Sequence, residues 1–389
     1  MTVPRTYLDH AATTPLLPEA LEAMLPVLTD DFGNPSGAHA ESRRARIALD
    51  DARDRIAELL GVGPGDVVLT SGGTEADDLA VHGGWDARAE DASLPPPTAV
   101  VCAAMEHHAV LEACRDLARR SGAELRTVAT TADGLVDLDA LAEAVGPGVG
   151  LVTVMAVNNE LGTVQPLDEV ARIVRSQAPG AVFHTDAVQA APWLDVAAVT
   201  AGADLVTVSA HKFGGPKGAG ALLVRGGARV RPRLGGGGQE RGRRSGTPNV
   251  AGAVGMAAAL AATEAGRGAE ADRVTALRDR LGDGLAERVD GLVESGDRAH
   301  RVPGILHVRL SGVEAEALVV LLDQHGLAAS AGAACSSGAV EPSHVLTSMG
   351  LDDHEAGSGV RFSLGVATSG QDVDRALDLV PDAVGRLRD

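Results

Sequence analysis

Between about residues 65 and 225 the chain alternates short apolar, β-branched runs with longer stretches whose apolar residues recur at helical spacing. The runs are "DVVLT" (66–70), "TAVVCA" (98–103), "VGLVTVMAV" (149–157), "AVFHT" (181–185), "ADLVTVS" (203–209) and "GALLV" (220–224). Between them lie amphipathic stretches such as "AVLEACRDLARR". Strands this uniformly apolar belong in a mainly parallel sheet covered by helices on both faces, so the pattern predicts an α/β unit. After "RSGTPNV" (244–250) the texture changes to an alanine-rich helical stretch reaching about residue 289. Strand and helix patterns such as "GILHVRL" and "EAEALVVLLDQHG" follow. They predict a smaller α+β unit, so the expected division is 15–255 for the large domain and 1–14 with 256–389 for the small one. "SLPPP" (93–97) is a surface loop, and no internal repeat is present.

Composition narrows the possibilities. Aromatic residues make up 2% against 45% hydrophobic residues, so the core is aliphatic and base stacking is not expected. A formal net charge of −19 repels phosphate backbones and argues against direct nucleic-acid binding. Cys102, Cys114 and Cys335 show no metal-ligand or disulfide spacing, which suits a reducing compartment. The start lacks a basic segment followed by an apolar core, and no apolar run approaches a membrane span; the expectation is a cytoplasmic protein away from membranes.

The candidate chemistry begins with a bias. Of 34 Lys and Arg residues only Lys212 and Lys217 are lysine, both within "SAHKFGGPKG". A guanidinium is never deprotonated near neutral pH, whereas an amine with a lowered pKa attacks carbonyls and forms Schiff bases. "SGGTE" (71–75) follows a strand and opens a helix, where glycines let backbone N–H groups approach a phosphate and Thr74 adds a hydroxyl. Asp186 ends another strand, with Gln189 one helical turn on. A phosphate cradle, a carboxylate to keep a pyridine nitrogen protonated and a Schiff-base lysine are the parts of a pyridoxal 5'-phosphate site.

Ordered blocks extend this reading: "YLDHAATTP", "FGNPSGAH", "TSGGTEADDLA", "MEHHAVLE", "VNNELGTVQP", "HTDAVQA", "SAHKFGGPKG", "GGGQERGRRSGTPN", "SAGAACSSGAVEPSHVL" and "GVRFSLG". From residue 7 to about 365 the chain thus resembles the cysteine desulfurases, pyridoxal-phosphate enzymes of the class V aminotransferase group with fold type I, which implies a seven-stranded type of sheet in the large domain. The resemblance implies that Lys212 is the Schiff-base lysine and the base at the substrate Cα, that Asp186 pairs with the pyridinium nitrogen and that Gln189 bonds the ring hydroxyl. Gly73, Thr74, Ser209 and His211 would bind the phosphate. Thr247 would reach the phosphate of a partner subunit, implying a homodimer with shared active sites. His107 would stack on the ring and exchange protons, and Asn159 with Arg361 would hold the substrate carboxylate, a task suited to a bidentate guanidinium. The implied reaction converts L-cysteine to L-alanine, leaving sulfur as a persulfide on Cys335 for delivery to an acceptor protein, a scaffold or a thiolation enzyme. No metal is implied.

Cys335 sits among small residues in "SAGAACSSGAV", 26 positions before Arg361, resembling the group whose cysteine lies on a long mobile loop. His108 is expected to be a wall or surface histidine, Lys217 structural or solvent-facing, and Cys102 and Cys114 small core residues. The role of His10 is left open. Two departures stand out: Asp78 occupies a usual asparagine position, and "AGAAC" replaces "GSAC". A selenocysteine or cystine lyase would share the cofactor site, as would an ordinary class V aminotransferase, against which Cys335 argues. A non-catalytic scaffold for sulfur carriers is opposed by Lys212, Asp186, His107 and Arg361.

Overall fold

The computed structural model describes residues 5–332 and 342–389; Cys335 lies outside them. A two-residue strand, β1 (Thr6–Tyr7), opens the described chain and pairs in parallel with Leu327–Ala328. The seven-stranded sheet follows: β2 (Val67–Thr70), β3 (Ala99–Ala103), β4 (Glu124–Val128), β5 (Val149–Thr153), β6 (Val182–Asp186), β7 (Leu205–Ser209) and β8 (Gly220–Val224). Its order is β2-β8-β7-β6-β5-β3-β4. Strand β8 runs antiparallel to both neighbours, and every other pairing is parallel. Every residue of β3, β5, β7 and β8 is buried, which is why these runs are apolar without alternation.

Two details differ from the sequence pattern. Strand β4, "ELRTV", gave no apolar signal because it is the sheet edge and its Glu124 and Thr127 are exposed. The run 149–157 stops pairing as a strand at Thr153; beyond it Val154 and Ala156 donate backbone bonds to His184 and Asp186 while the chain turns toward Asn159.

The remaining strands are β9 (Leu292–Glu294), β10 (Ile305–Leu310), β11 (Leu327–Ala328) and β12 (Gly359–Ser363). Three of them form an antiparallel sheet in the order β12-β10-β9. Leu306, Val308, Val360 and Phe362 of this sheet pack with Leu8, Leu318 and Val380 in an apolar cluster distinct from the one beneath the large sheet. The 39-residue helix Val250–Arg288 joins both cores: Met256 and Leu260 enter the first, Val274, Leu281 and Leu285 the second.

Pairing of β10 with β12 sets His307 opposite Arg361. The imidazole is fully buried with neither ring nitrogen hydrogen-bonded among the described residues, and burial first, then Arg361, lowers its pKa to about 3. Unfolding restores an ordinary histidine near 6.5. Below that value the unfolded chain takes up a proton that the folded chain refuses, so this group's contribution is present above pH 6.5 and is lost on acidification. A His307→Gln variant should therefore lose less stability than the parent between pH 7.5 and 5, a difference of about 2 kcal/mol at pH 5. Denaturant melts of both proteins at the two pH values measure it.

Candidate active site

The candidate residues follow the carboxyl ends of the parallel strands. Asp186 ends β6, Ser209 ends β7, and His107 and Asn159 lie beyond β3 and β5, where chain order across the sheet reverses. Strand β2 points the same way as β7, so the turn after it opens on the same edge. This is where ligands sit in open α/β sheets.

Gly72 has φ +153°, a conformation side chains rarely adopt, and a Cβ on Gly73 would stand 3.1 Å from Val188 Cγ2. This turn starts the helix Gly73–Asp78 and closes one side of a cavity of about 440 Å³. Thr74, Ser209, His211 and Lys217 line it as well. The Ser209 hydroxyl is buried without a hydrogen-bond partner among the described residues, a demand that a bound acceptor would meet. Lys217 is exposed and borders this cavity. Thr247 stands apart, exposed, on an adjoining cavity of about 230 Å³ with Ser71, Gly218 and Arg244.

The lysine turn is held by the start of the chain. Lys212 Nζ donates to the carbonyls of Ala11 (2.6 Å) and Ala12 (3.0 Å), and Gln189 Nε2 donates to the same Ala11 oxygen at 2.8 Å. His211 Nδ1 lies 3.1 Å from Thr13 Oγ1, and Thr14 Oγ1 bonds the His211 carbonyl. Lys212 and Gln189 border a further cavity of about 410 Å³ that includes His10, Trp193 and Phe213.

Asp186 is buried, and one oxygen accepts the Val188 N–H at 2.8 Å. Burial pushes its pKa up to about 6 against the opposing pull of the Val188 N–H and of Lys212. Burial, and secondarily the Lys212 charge, lowers His107 to about 4, so the imidazole is neutral at pH 7. Its Nδ1 accepts the Ala109 N–H at 3.1 Å, capping the helix His108–Ser121, so Nε2 carries the proton. His211 is likewise lowered to about 4, by burial first.

The two asparagines of "VNNE" divide their tasks. Buried Asn158 braces the turn through the N–H groups of Glu160 and Leu161 and the Met105 carbonyl. The Asn159 carbonyl accepts from Arg361 Nη1 at 2.8 Å, while Arg361 Nη2 donates to Asp9 Oδ1 at 2.8 Å.

Three buried acids near the site were not anticipated: Asp77, Glu106 and Glu160. Burial raises all three, well above the usual carboxylate range for Asp77 and Glu106, which also feel Asp186. His184 lies two residues before Asp186 on the same face of β6, with its ring nitrogens 2.9 Å from Thr153 Oγ1 and 3.1 Å from Thr207 Oγ1. A histidine inside the apolar run "AVFHTD" was the available signal for that layer. Cys102 and Cys114 are buried, as expected for core residues, and His108 stacks beside His344 with ring centroids 4.5 Å apart.

The described residues fit a pyridoxal 5'-phosphate group. The glycine turn and the Ser209 hydroxyl suit its phosphate, Asp186 its pyridine nitrogen and Lys212 its carbonyl carbon.

The chain matches the Aminotransferase class-V family over residues 6–376. A protein from Cereibacter sphaeroides described as "Cysteine desulfurase" is 42% identical over 385 residues, covering 99% of this chain and 97% of that protein. Among solved structures, one described as "NIFS-LIKE PROTEIN" is similar with a TM-score of 0.90 and 32% identity, covering 98% of this chain and all of that one. Another, "SspA in complex with cysteine", has a TM-score of 0.80 and 31% identity over 92% of this chain and 98% of that one. The chain belongs to the class V aminotransferase family, whose members depend on pyridoxal phosphate.

Gly72→Ala tests the cradle. Forcing a side chain onto a conformation that L-residues rarely adopt costs about 1–3 kcal/mol or moves the turn. Spectrophotometric titration of the apoprotein should show pyridoxal phosphate binding weakened about tenfold or more with an unchanged far-ultraviolet spectrum.

Proposed function

We propose that this protein is a cysteine desulfurase, converting L-cysteine to L-alanine and retaining the sulfur on Cys335 before passing it to an acceptor protein. The observation that carries this reading is that Lys212, Asp186 and His107 follow strand ends on one edge of the large sheet, which Arg361 meets from β12 through the Asn159 carbonyl, on a chain that is 42% identical to a desulfurase along almost its whole length.

Bound pyridoxal phosphate supplies an electron sink for the substrate Cα. The protein's own groups do the rest. Lys212 would hold the cofactor through its amine and would serve as the base for the substrate Cα proton. Buried Asp186 keeps the pyridine nitrogen protonated, the Gly73–Thr74 turn with Ser209 and His211 holds the phosphate, and Gln189 bonds the ring hydroxyl. His107 covers the ring face and, neutral at physiological pH, exchanges a proton at the substrate through Nε2. Arg361 and Asn159 hold the carboxylate and so orient the Cβ–S bond. The Cys335 thiolate attacks the substrate sulfur; the electron pair of the Cβ–S bond stays with Cβ, which a proton then completes.

We further assign residues 15–255 to the cofactor-binding domain and 1–14 with 256–389 to a smaller domain carrying Cys335, a division supported by the two apolar cores. A homodimer is supported by the exposed Leu21, Leu25, Leu28, Phe32 and Ile47 and by the exposed Thr247, which would reach the phosphate of a second copy. A cytoplasmic setting agrees with free, buried Cys102 and Cys114. No described helix is long and apolar enough to cross a membrane.

Two experiments test this reading. Lys212→Ala should abolish the covalently held, visibly absorbing cofactor and the activity; borohydride reduction of the parent followed by peptide mapping should place the adduct on Lys212, and an adduct on Lys217 would reject the assignment. Cys335→Ser should keep the cofactor and bind L-cysteine but form almost no alanine, whereas Cys102→Ser and Cys114→Ser remain active. Brief exposure of the parent to L-cysteine should add one sulfur to the peptide containing Cys335, read by mass spectrometry.

A further inference from the structure

Arg361 is 5% exposed at its side chain, and a cation so buried needs a fixed anion. Asp9 provides it from the far end of the sequence. Asp9 pairs with Ser363 in a parallel bridge just beyond β1, and this places its Oδ1 2.8 Å from Arg361 Nη2. The Asn159 carbonyl takes an N–H of Nη1 at 2.8 Å, and Nε is buried without a partner among the described residues. A guanidinium has two N–H groups on each terminal nitrogen. One on each is engaged, which leaves one N–H on each terminal nitrogen for a second carboxylate.

The charge balance matters as much as the geometry. Glu160 lies in the Arg361 field, and its buried carboxyl accepts the Ser343 hydroxyl at 2.6 Å. His307, opposite Arg361, stays neutral. Asp9 also faces a cavity of about 590 Å³ whose lining includes Glu314, Glu316 and Asp353. The arriving carboxylate therefore meets a cation that Asp9 already compensates.

We propose that Asp9 is a positioning residue with two separable effects: its oxygen aligns the Arg361 fork, and its charge weakens the hold on amino-acid carboxylates so that the product leaves. This rests on the assignment of Arg361 to the substrate carboxylate. Asp9→Asn keeps an acceptor oxygen and removes the charge; Asp9→Ala removes both.

The test measures equilibrium binding of L-alanine, and of cysteamine, which lacks the carboxylate, to the holoenzyme of the parent, D9N, D9A and R361A, with the acid-quenched single-turnover rate of alanine formation, which excludes product release, in parallel and circular dichroism as the check on folding. D9N should bind L-alanine about threefold to tenfold more tightly, the effect of one partly screened charge, while cysteamine binding stays unchanged. D9A should lower the single-turnover rate, and D9N should not reproduce that loss. Unchanged or weaker L-alanine binding in D9N overturns the charge effect, as does equal tightening of cysteamine. If D9A and D9N lower the single-turnover rate alike, the oxygen does not align the fork. If R361A leaves L-alanine binding intact, the assignment of Arg361 itself falls, an outcome separable from failure of D9N alone.

Discussion

Everything at this site depends on keeping one carboxylate, Asp186, inside the protein at the end of a strand. An ionised acid in so apolar a place is strained toward its neutral form, and burial holds its pKa up at about 6 even against the groups that favour the anion. What restores the anion is local: the Val188 N–H and the Lys212 charge. The acids behind it complete the arrangement. Asp77 and Glu106 are raised well above the usual range, so the negative charge of the group concentrates on Asp186, where a pyridinium can use it.

The sheet makes this possible without a strained backbone at the acid. Five strand ends on one edge deliver the glycine turn, His107, Asn159, Asp186 and Ser209 from runs that are otherwise apolar. Glu240 and Arg241 are the only non-glycine residues with positive φ among those described. Glu240 is locked by a two-bond contact from Arg53, at 2.7 and 2.8 Å, and by the Leu69 N–H, so the segment leading to Thr247 has a fixed start.

The parallel sheet was legible because buried strands such as "LVTVS" have one character along their length. Edge strand β4 was not, since its solvent side is written in Glu124 and Thr127. Lys212 was visible through lysine scarcity, and Asp186 and the glycine turn through their places at strand ends. Asp9 gave no local sign: its meaning lies in Arg361, 352 positions away, and only tertiary pairing joins them. Glu160 was hidden for the same reason, its partner Ser343 standing 183 positions on.

The short segment from Thr6 to Thr14 touches nearly every later part of the site. It pairs with β11, meets Ser363, places carbonyls on Lys212 and Gln189, and gives Asp9 to Arg361. During synthesis this segment leaves the ribosome before the partners it contacts in β11, at Ser363 and at Arg361. All seven strands of the large sheet lie before residue 225, but the strand that pairs with this segment comes at 327–328, and Arg361 cannot meet Asp9 until residue 361 has emerged. The order in which the chain is made thus separates building the cradle from completing the reactive centre.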